Sequence, residues 1–418
     1  MMDDKNCEHC YPEKCQHVRR KMFSLFDYFI FNPFIYVLSK AFLLSENDFL
    51  RFDNLLNRAS INIFQKLNLF TKTNIIDRNQ FNNSVLALWD EAQRKGLELY
   101  NFKESNLHTL YFMLVLNTKK YYFTQTPISL IYQKNQCFDN DIKYDNKWIF
   151  KKKLLNNKIP CPVGMAFISS KNAYKYGIKL GFPLAVKPVS ASLSIHALCN
   201  IQTPKELEDA IKIVKQVDFR VLVEQHILGH VYRSLIINES LIACVMRQPR
   251  SVIGDGVRTL QELIAKKNKV AGKEDGGKLL FKANPDSYLT KNLEVQGVTL
   301  NTVLNNGQQI FISKKVTMGS GAKISNVTDL MHPENKLLLE RVHKMLNIPL
   351  TGFDFICQDI SLPWHKQQFG IIENNSFPYI DLHLNPSDGE RINVSSKIWD
   401  YVLNVLGQKS GDDSIKID

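Results

Sequence analysis

The spacing of hydrophobic and polar residues changes along the chain and predicts a mixture of helices and strands. Asn83 to Gly96 has apolar residues at helical spacing and ends on a glycine, so we predict a helix there. Pro204 to Val214 shows the same spacing, with Thr203 placed as its N-cap and Glu206 at the third helical position. Short aromatic runs such as Tyr121 to Phe123 predict strands.

Two predicted buried strands carry a charged side chain at one end. Gly181 to Pro188 is apolar apart from Lys187, and the residues between Arg220 and Glu224 are apolar as well. Because its strand is otherwise apolar, Lys187 is a candidate for binding phosphate, with Lys147 as a partner from another lobe. Glu224 can orient an adenine amino group. A solvent-exposed strand end would explain a carboxylate at this position equally well.

The strongest pattern is a hairpin predicted from Gly352 to Ile356 and from Gly370 to Pro378. Because side chains alternate along a strand, Glu373 and Asn375 share one face, and Asp354 can meet them from the partner strand. Three oxygen ligands on a rigid sheet suit Mg²⁺. Polar side chains in such apolar strands are costly without a partner, and a hydrogen-bonded structural cluster is the alternative to a metal site.

Length and composition favour a folded, enzyme-sized protein. The 418 residues suit two or three lobes around a shared cleft. The net charge is +12, but the basic residues are scattered and no nucleic-acid-binding pattern is present. We attribute the charge to composition and expect no nucleic-acid partner, with affinity for an acidic ligand as the alternative. Eight cysteines without a secretory signal favour a reducing, cytoplasmic location.

Three thiols and an imidazole are clustered near the start of the chain, at Cys7, Cys10, Cys15 and His17. Zinc prefers such ligands, so this cluster is a candidate Zn²⁺ site. A structural zinc site usually has two separated ligand pairs, so a disordered tail with coincidental cysteines is the alternative.

An aromatic segment from Met22 to Leu44 follows the basic triplet at residues 19–21. Its uncharged run, from Tyr28 to Ser39, is too short to cross a bilayer. We predict a buried helix pair broken at Pro33, and membrane association through an interfacial anchor is the alternative.

Several motifs, in a consistent order, resemble the ATP-grasp superfamily. The similar branch is the one shared by the ligase half of cyanophycin synthetase and the bifunctional bacterial glutathione synthetases. The motifs that carry the resemblance are Asn146-Lys147-x3-Lys151, Val186-Lys187-Pro188, Val221-Leu-Val-Glu224, Arg247-x-Pro249-x2-Val252-Ile-Gly254-Asp255-Gly256, Gly319-Ser320-Gly321, His332-Pro333 and Leu382-His383-x2-Pro386-x2-Gly389-x-Arg391.

The resemblance implies a fold and a domain division. It implies an α/β (α+β) ATP-grasp fold, in which two lobes enclose the nucleotide and a smaller N-terminal domain precedes them. The expected parts are a cysteine-rich tail with the aromatic segment (1–45), the N-terminal domain (46–145), the ATP-grasp catalytic domain (146–406) and a C-terminal tail (407–418).

The resemblance also implies which residues bind ATP. Lys147 and Lys187 would bind its phosphates, and Ser194 would lie in the loop over them. Glu224 and Ile227 would lie near the adenine.

Catalytic and metal-binding residues are implied in the same way. Lys187 and Arg247 would stabilise the transferring phosphoryl group, together with backbone N–H groups of residues 319–321. Arg391 would bind a substrate carboxylate, as would Arg233. Mg²⁺, with two ions expected, would be held by Asp354, Glu373 and Asn375.

The chain departs from the pattern of this family at several positions. The loop after Lys187 carries Ala191, Ser194 and His196 where glycines are expected, so we expect its closure to differ or to be slower. Val231 stands where an acidic contact to the ribose is expected. No phosphate-loop sequence follows residue 406, so we do not expect polymer synthesis by two alternating active sites.

The leading hypothesis is an ATP-dependent carboxylate–amine ligase that forms an amide or peptide bond through an acyl phosphate. We expect small-molecule substrates, an amino acid or a small peptide, and a homo-oligomer. One alternative is a ligase that modifies a protein or carrier side chain. The other is a non-catalytic ATP-binding scaffold.

Overall fold

A computed structural model describes residues 17–26, 70–104, 107–131, 143–190, 194–274, 287–313, 316 and 321–407. Within these residues the chain forms antiparallel sheets covered by helices. The predicted α+β class is therefore confirmed. Among the described helices, none is long and apolar enough to span a membrane.

The N-terminal part of the described chain contains two helices and one sheet. Helix α1 spans His17–Phe26, and helix α2 spans Asn83–Arg94. The sheet has four antiparallel strands in sequence order, β1 (Phe70–Thr73), β2 (Glu98–Glu104), β3 (Leu107–Leu116) and β4 (Lys119–Thr124). Helix α2 confirms the predicted helix, because Asn82 caps its start and Gly96 takes a φ of 67° just after its end.

A second sheet forms the first lobe of the main domain, and helix α3 (Lys147–Asn156) precedes it. In chain order its elements are β5 (Gly164–Phe167), α4 (Ser170–Leu180), β6 (Leu184–Pro188), β7 (Leu198–Ile201), α5 (Pro204–Val214) and β8 (Val221–Gln225). The spatial order of the strands is β5-β8-β6-β7, so β6 and β8 are the central neighbours. Helix α5 begins as predicted, since the Thr203 hydroxyl accepts a hydrogen bond from the Glu206 amide.

The rest of the described chain forms a small sheet, a large sheet and five further α-helices. In chain order the elements are β9 (His230–Ile237), β10 (Ser240–Gln248), β11 (Ser251–Ile253), α6 (Leu260–Glu274), α7 (Ser287–Glu294), β12 (Gln309–Phe311), β13 (Lys323–Asn326), α8 (Pro333–Leu346), β14 (Leu350–Cys357), β15 (Phe369–Asn375), α9 (Asp381–Leu384) and α10 (Val394–Gly407). The large sheet has the order β13-β10-β9-β14-β15, and β11 pairs with β12. Strands β14 and β15 confirm the predicted hairpin, although β15 ends at Asn375 rather than Pro378.

One hydrophobic core joins the N-terminal sheet to the large sheet. It includes residues of α2, β3, α8, β14 and α10. Trp399 of α10 is fully buried, packs edge-on against Phe123 of β4, and donates an indole hydrogen bond to the Leu88 carbonyl of α2 at 2.8 Å. The N-terminal sheet and the last helix therefore stabilise each other, and removing the Trp399 side chain is expected to cost about 3–5 kcal/mol.

Candidate active site

Three charged side chains meet at the sheet of the first lobe, which we call the small lobe. Lys187 lies on β6, and Glu224 lies on the adjacent strand β8 opposite Ala185, so Lys187 and Glu224 share one face of the sheet. The Lys187 ammonium lies 2.5 Å from one Glu224 oxygen, and the Lys151 ammonium of α3 lies 2.9 Å from the other. All three side chains are at least nine-tenths buried. The sequence thus folds two lysines around one carboxylate in a nearly dry site.

Burial and pairing act in opposite directions on these groups. Burial alone would raise the pKa of Glu224, but the charges of Lys187 and Lys151 outweigh it and hold that pKa below its usual value. Burial would lower the pKa of Lys187, and the charge and hydrogen bond of Glu224 reverse that effect. The Glu224 carboxylate therefore keeps Lys187 protonated despite its burial.

A row of charged residues crosses four adjacent strands of the large sheet. Arg233 on β9 lies directly opposite Asp354 on β14, and Asp354 lies opposite Glu373 on β15. Arg247 on β10 lies two residues from Val245, the partner of Arg233, so it points to the same face. Asp354 and Glu373 thus occupy one face, as the alternation of the hairpin predicts.

Asp354 is held between two arginines. The Arg233 guanidinium contacts both of its oxygens, with the Arg233 Nη2 to Asp354 Oδ2 distance at 2.9 Å, and Arg247 Nη2 lies 3.1 Å from the same oxygen. Burial would raise the pKa of Asp354, but the two guanidinium charges lower it overall. Burial lowers the pKa of Arg247, and its buried Nε has no hydrogen-bond acceptor among the described residues. An anionic ligand would supply that acceptor.

Lys147 connects the small lobe to the large sheet. It is the first residue of α3, after the N-cap Asn146, and its ammonium lies 3.0 Å from a Glu373 oxygen. The charge of Glu373 also acts on Lys187 and on Arg233. The two charged clusters are therefore continuous, and their ion-paired side chains comprise five cations and three carboxylates. This excess of positive charge suits a polyanionic ligand.

Asp145 belongs to this region and was not singled out by the sequence. It accepts hydrogen bonds from the Ser376 amide and hydroxyl, both at 2.9 Å, and from the Asn374 amide group at 3.1 Å. Burial raises the pKa of Asp145 to about 6. The only local sequence signal for Asp145 is its position two residues before Lys147. That position does not reveal that the Asp145 carboxylate holds the end of β15.

His383 is a second residue whose place the sequence did not reveal. It lies on α9 and is buried, and neither ring nitrogen has a partner among the described residues. Burial, with the positive charges of Arg233 and Arg247, lowers the pKa of His383 to about 3. The imidazole is therefore neutral and stands within the field of both arginines. The sequence signal that could have placed His383 near the site is its position in the Leu382-His383 motif.

Other predicted residues lie around this cluster or outside it. Ile227 is half-buried, and its Cδ1 fills the space that a Cβ on Gly370 would take, so it packs on β15. Ser194 lies in an exposed turn. Arg391 lines a cavity of about 410 Å³ beside α2. Among the described residues, no other predicted site residue lines this cavity. Gly321 packs on the Arg250 side chain, and Gly319 lies outside the described residues.

The predicted zinc ligands are only partly described. Cys7, Cys10 and Cys15 lie outside the described residues, whereas His17 begins α1. Within the part of the chain that the structure describes, no group of three or more His, Cys, Asp and Glu side chains is arranged to hold a metal.

The donor set on the hairpin fits Mg²⁺. Asp354 and Glu373 carry carboxylate oxygens at opposed positions, and Asn375 shares the face of Glu373. A metal bound here would share these oxygens with the arginines and the lysine that pair with them. The Asn375 amide nitrogen donates to the Gly352 carbonyl at 3.2 Å, which leaves its side-chain oxygen as an acceptor. All three are hard oxygen donors of the kind that Mg²⁺ prefers.

Comparison with known proteins agrees with this architecture. The chain is 31% identical over 224 residues to cyanophycin synthetase of Trichormus variabilis, a match that covers 53% of this chain and 25% of that protein. It is 28% identical over 264 residues to the glutathione biosynthesis bifunctional protein of Clostridium perfringens, which covers 62% of this chain and 34% of that protein. The chain therefore spans about a quarter to a third of the length of these relatives.

A solved structure shows the same fold. The bifunctional glutathione synthetase from Pasteurella multocida superposes with a TM-score of 0.56 at 22% identity, over 77% of this chain and 44% of that chain. No model of a known protein family matches the chain. The structural match confirms the predicted ATP-grasp fold.

Proposed function

Because the chain has the ATP-grasp fold and shares sequence with cyanophycin synthetase and bifunctional glutathione synthetases, we propose that it is an ATP-dependent carboxylate–amine ligase. The observation that carries the proposal is the continuous cluster from Lys187 and Glu224 to Asp354 and Glu373. It presents excess positive charge beside a set of Mg²⁺ donors, which is the chemistry that binding of a triphosphate requires.

Several groups in the cluster have a role in phosphoryl transfer. Lys147 and Lys187 bind the phosphates as point charges. Arg247 neutralises charge on the transferring phosphoryl group through its unpaired Nε. Mg²⁺, held by Asp354, Glu373 and Asn375, supplies charge neutralisation and orientation of the phosphates when bound.

The reaction has two steps. A carboxylate oxygen of the substrate attacks the γ-phosphorus, the bond to the β-phosphate oxygen breaks, and ADP leaves. An amine then attacks the acyl carbon, the bond to phosphate breaks, and an amide and inorganic phosphate are released with loss of a proton from nitrogen. The protein's contribution is positioning and neutralisation of charge, because both steps gather negative charge at one place.

The substrate class is an amino acid or a small peptide. The cavity that Arg391 lines is also lined by Asp90, Glu91 and Arg94 of α2, of which Glu91 is buried and ion-paired with Arg94. Side chains of both signs around one small cavity match a ligand that carries an ammonium and a carboxylate, and Arg391 offers a bidentate fork for the carboxylate.

Phosphate release tests the proposal. Purified protein is incubated with Mg-ATP and pools of amino acids and dipeptides, beside an Asp354→Ala/Glu373→Ala variant. A Glu208→Ala/Asp209→Ala variant is the matched control, because it removes two carboxylates from the exposed face of α5. We expect release only with some pools, in the wild type and the control but not in the site variant.

Other outcomes separate the alternatives. ATP binding without release in any pool, followed by a gain in mass of a protein partner, would indicate modification of a protein side chain. ATP binding without any turnover would indicate a scaffold. Equal release by the wild type and the Asp354→Ala/Glu373→Ala variant would refute the assignment of the site.

A further inference from the structure

The cavity beside α2 is also bounded by the start of α10. Helix α2 forms one wall, and Arg391 and Ser395 lie on the other. Among the described residues, none of those assigned above to ATP or Mg²⁺ lines the cavity. A group bound here would therefore be a part of the substrate that the ATP site does not contact.

The Ser395 hydroxyl is a buried polar group without a partner. Ser395 is 2% exposed, and its Oγ forms no hydrogen bond within the described chain. In native proteins nearly all buried polar groups are satisfied by the protein, by water or by a ligand, because an unpaired one is unfavourable. Since Ser395 lines the cavity, a ligand in the cavity can accept a hydrogen bond from this hydroxyl.

The backbone around Ser395 also favours an anion. Ser395 lies in the first turn of α10, where backbone N–H groups lack partners within the helix. Asn393 caps this turn, because its side-chain oxygen accepts from the Ser396 amide at 3.1 Å. The Val394 amide donates to the Ile392 carbonyl at 2.8 Å, but the described chain provides no acceptor for the Ser395 amide. The positive end of the helix dipole is therefore open toward the cavity wall.

The carboxylates around the cavity are already neutralised. Asp90 is paired with Arg78 through two contacts of 2.8 Å, and Glu91 is paired with Arg94. Arg391 is exposed and forms no ion pair with a carboxylate of the described chain. The charge that remains for a ligand is thus the positive charge of Arg391, whose guanidinium matches a carboxylate bidentately.

We propose that Arg391, Ser395 and the first turn of α10 bind the free carboxylate of the amine substrate, an amino acid or a short peptide. This proposal rests on the ligase function proposed above. The carboxylate bound here is not the one that reacts, because the reacting carboxylate meets the γ-phosphate beside Lys187 and Arg247, and neither residue lines the cavity. Because α2 forms one wall, the N-terminal part of the chain takes part in selecting the amine.

Kinetics with a matched pair of amines tests the proposal. The amine component of an active pool is identified from the mass of the product, and is then compared with its carboxamide at a fixed concentration of the carboxylate donor. We expect phosphate release with the free acid and not with the carboxamide. Arg391→Gln and Ser395→Ala are expected to raise the KM for the free acid about 10–100-fold with kcat unchanged, because the lost contact is made before and during the reaction alike.

Two control variants and a stability measurement exclude general effects. Ser396 is the next residue of α10, and its hydroxyl donates to Asp400 at 3.4 Å, while Arg341 is an exposed arginine of α8. Neither lines the cavity, so Ser396→Ala and Arg341→Gln are expected to keep the KM of the wild type. Because its hydroxyl has no partner in the free protein, Ser395→Ala is expected to unfold at the same urea concentration as the wild type.

Binding without ATP separates this proposal from the ligase function. Glycylglycine and glycylglycinamide differ only at the terminal carboxylate, and saturation-transfer NMR measures the binding of each to the full-length chain. We expect the wild type to bind glycylglycine at least about tenfold more tightly than the amide, and Arg391→Gln to lose this preference.

The two measurements fail in different ways. The absence of phosphate release with every pool would refute the ligase function, and the preference for glycylglycine would still test the carboxylate site. Phosphate release that is equal with the free acid and its carboxamide would overturn the proposal and leave the ligase function intact. Equal binding of the two dipeptides, binding of neither, or an unchanged preference in Arg391→Gln would overturn it as well.

Discussion

Replacing Glu224 by glutamine removes the one carboxylate that lies between the two buried lysines of the small lobe. Glutamine keeps the size of the side chain and loses only the charge. The Lys187 and Lys151 ammonium groups, 2.5 and 2.9 Å from the carboxylate oxygens, would then lose their nearest counter-charge. Both lysine side chains are 10% exposed or less, so water cannot take over the role of the carboxylate.

The size of the effect follows from this burial. Breaking a buried ion pair by removing one partner costs about 3–5 kcal/mol, because the remaining charge stays desolvated. We expect Glu224→Gln to lose at least about 3 kcal/mol of unfolding free energy, since two charges lose their partner. Removing one of those charges as well, in Glu224→Gln/Lys187→Met, is expected to recover part of the loss.

Glu208 on α5 offers a matched control. Its carboxylate lies 2.5 Å from the Lys212 ammonium, the same separation as in the Glu224 to Lys187 pair, but the side chains are 49% and 62% exposed. Glu208→Gln is therefore expected to unfold at the same urea concentration as the wild type, because solvent screens an exposed pair. The two variants differ in burial rather than in distance.

Urea unfolding at pH 7 without nucleotide, followed by circular dichroism, measures both variants against the wild type. A loss of less than about 1 kcal/mol in Glu224→Gln would refute the reasoning, because it would mean that water or a rearranged side chain neutralises the lysines. An equal loss in Glu208→Gln would show that the effect is not specific to the buried site.

Two further predictions concern stability. Burial lowers the pKa of His343 to about 4. Below about pH 6.5 the unfolded chain therefore binds a proton at this histidine that the folded protein does not bind. The contribution of His343 to the free energy of unfolding is complete above about pH 6.5 and decreases as the pH falls toward 4. His343→Leu should therefore lose about 2 kcal/mol less unfolding free energy than the wild type between pH 7.5 and pH 5. Equal pH profiles of the two proteins in urea unfolding would contradict this. Gly164→Ala should cost about 1–3 kcal/mol of unfolding free energy, because a Cβ there would overlap the Glu224 Cβ and the Val223 carbonyl. A Cβ on Gly407 would meet no atom of the described residues within 4 Å, so Gly407→Ala is not expected to carry this cost, and thermal unfolding compares the two variants.

The sequence predicted which face of a strand a side chain occupies, because alternation is a local property. The hairpin of β14 and β15 was predicted with Asp354 and Glu373 on one face, and they lie opposite each other in the structure. Thr203 was predicted to cap α5, and it does. These features depend on neighbours within a few residues.

The sequence could not reveal which strands are adjacent. Asp354 is held by Arg233 and Arg247, which lie 121 and 107 residues earlier, and only the order of the strands brings them together. From the sequence, these three residues were assigned separate roles toward substrate, phosphate and metal, and their mutual ion pairing was not foreseen. The same holds for Glu224, whose two lysines come from different elements. The roles assigned to these residues, like the domain boundaries, stay predictions.

The contact between Trp399 and the Leu88 carbonyl has a consequence for synthesis on the ribosome. The two residues are separated by 311 positions, so at about 5–20 residues per second the early helix waits roughly 16–60 s for its partner. During that interval the nascent N-terminal sheet exposes the apolar surface that α10 later covers. We therefore expect a nascent chain stalled before residue 394 to bind chaperones through this sheet, and to release them once α10 has emerged.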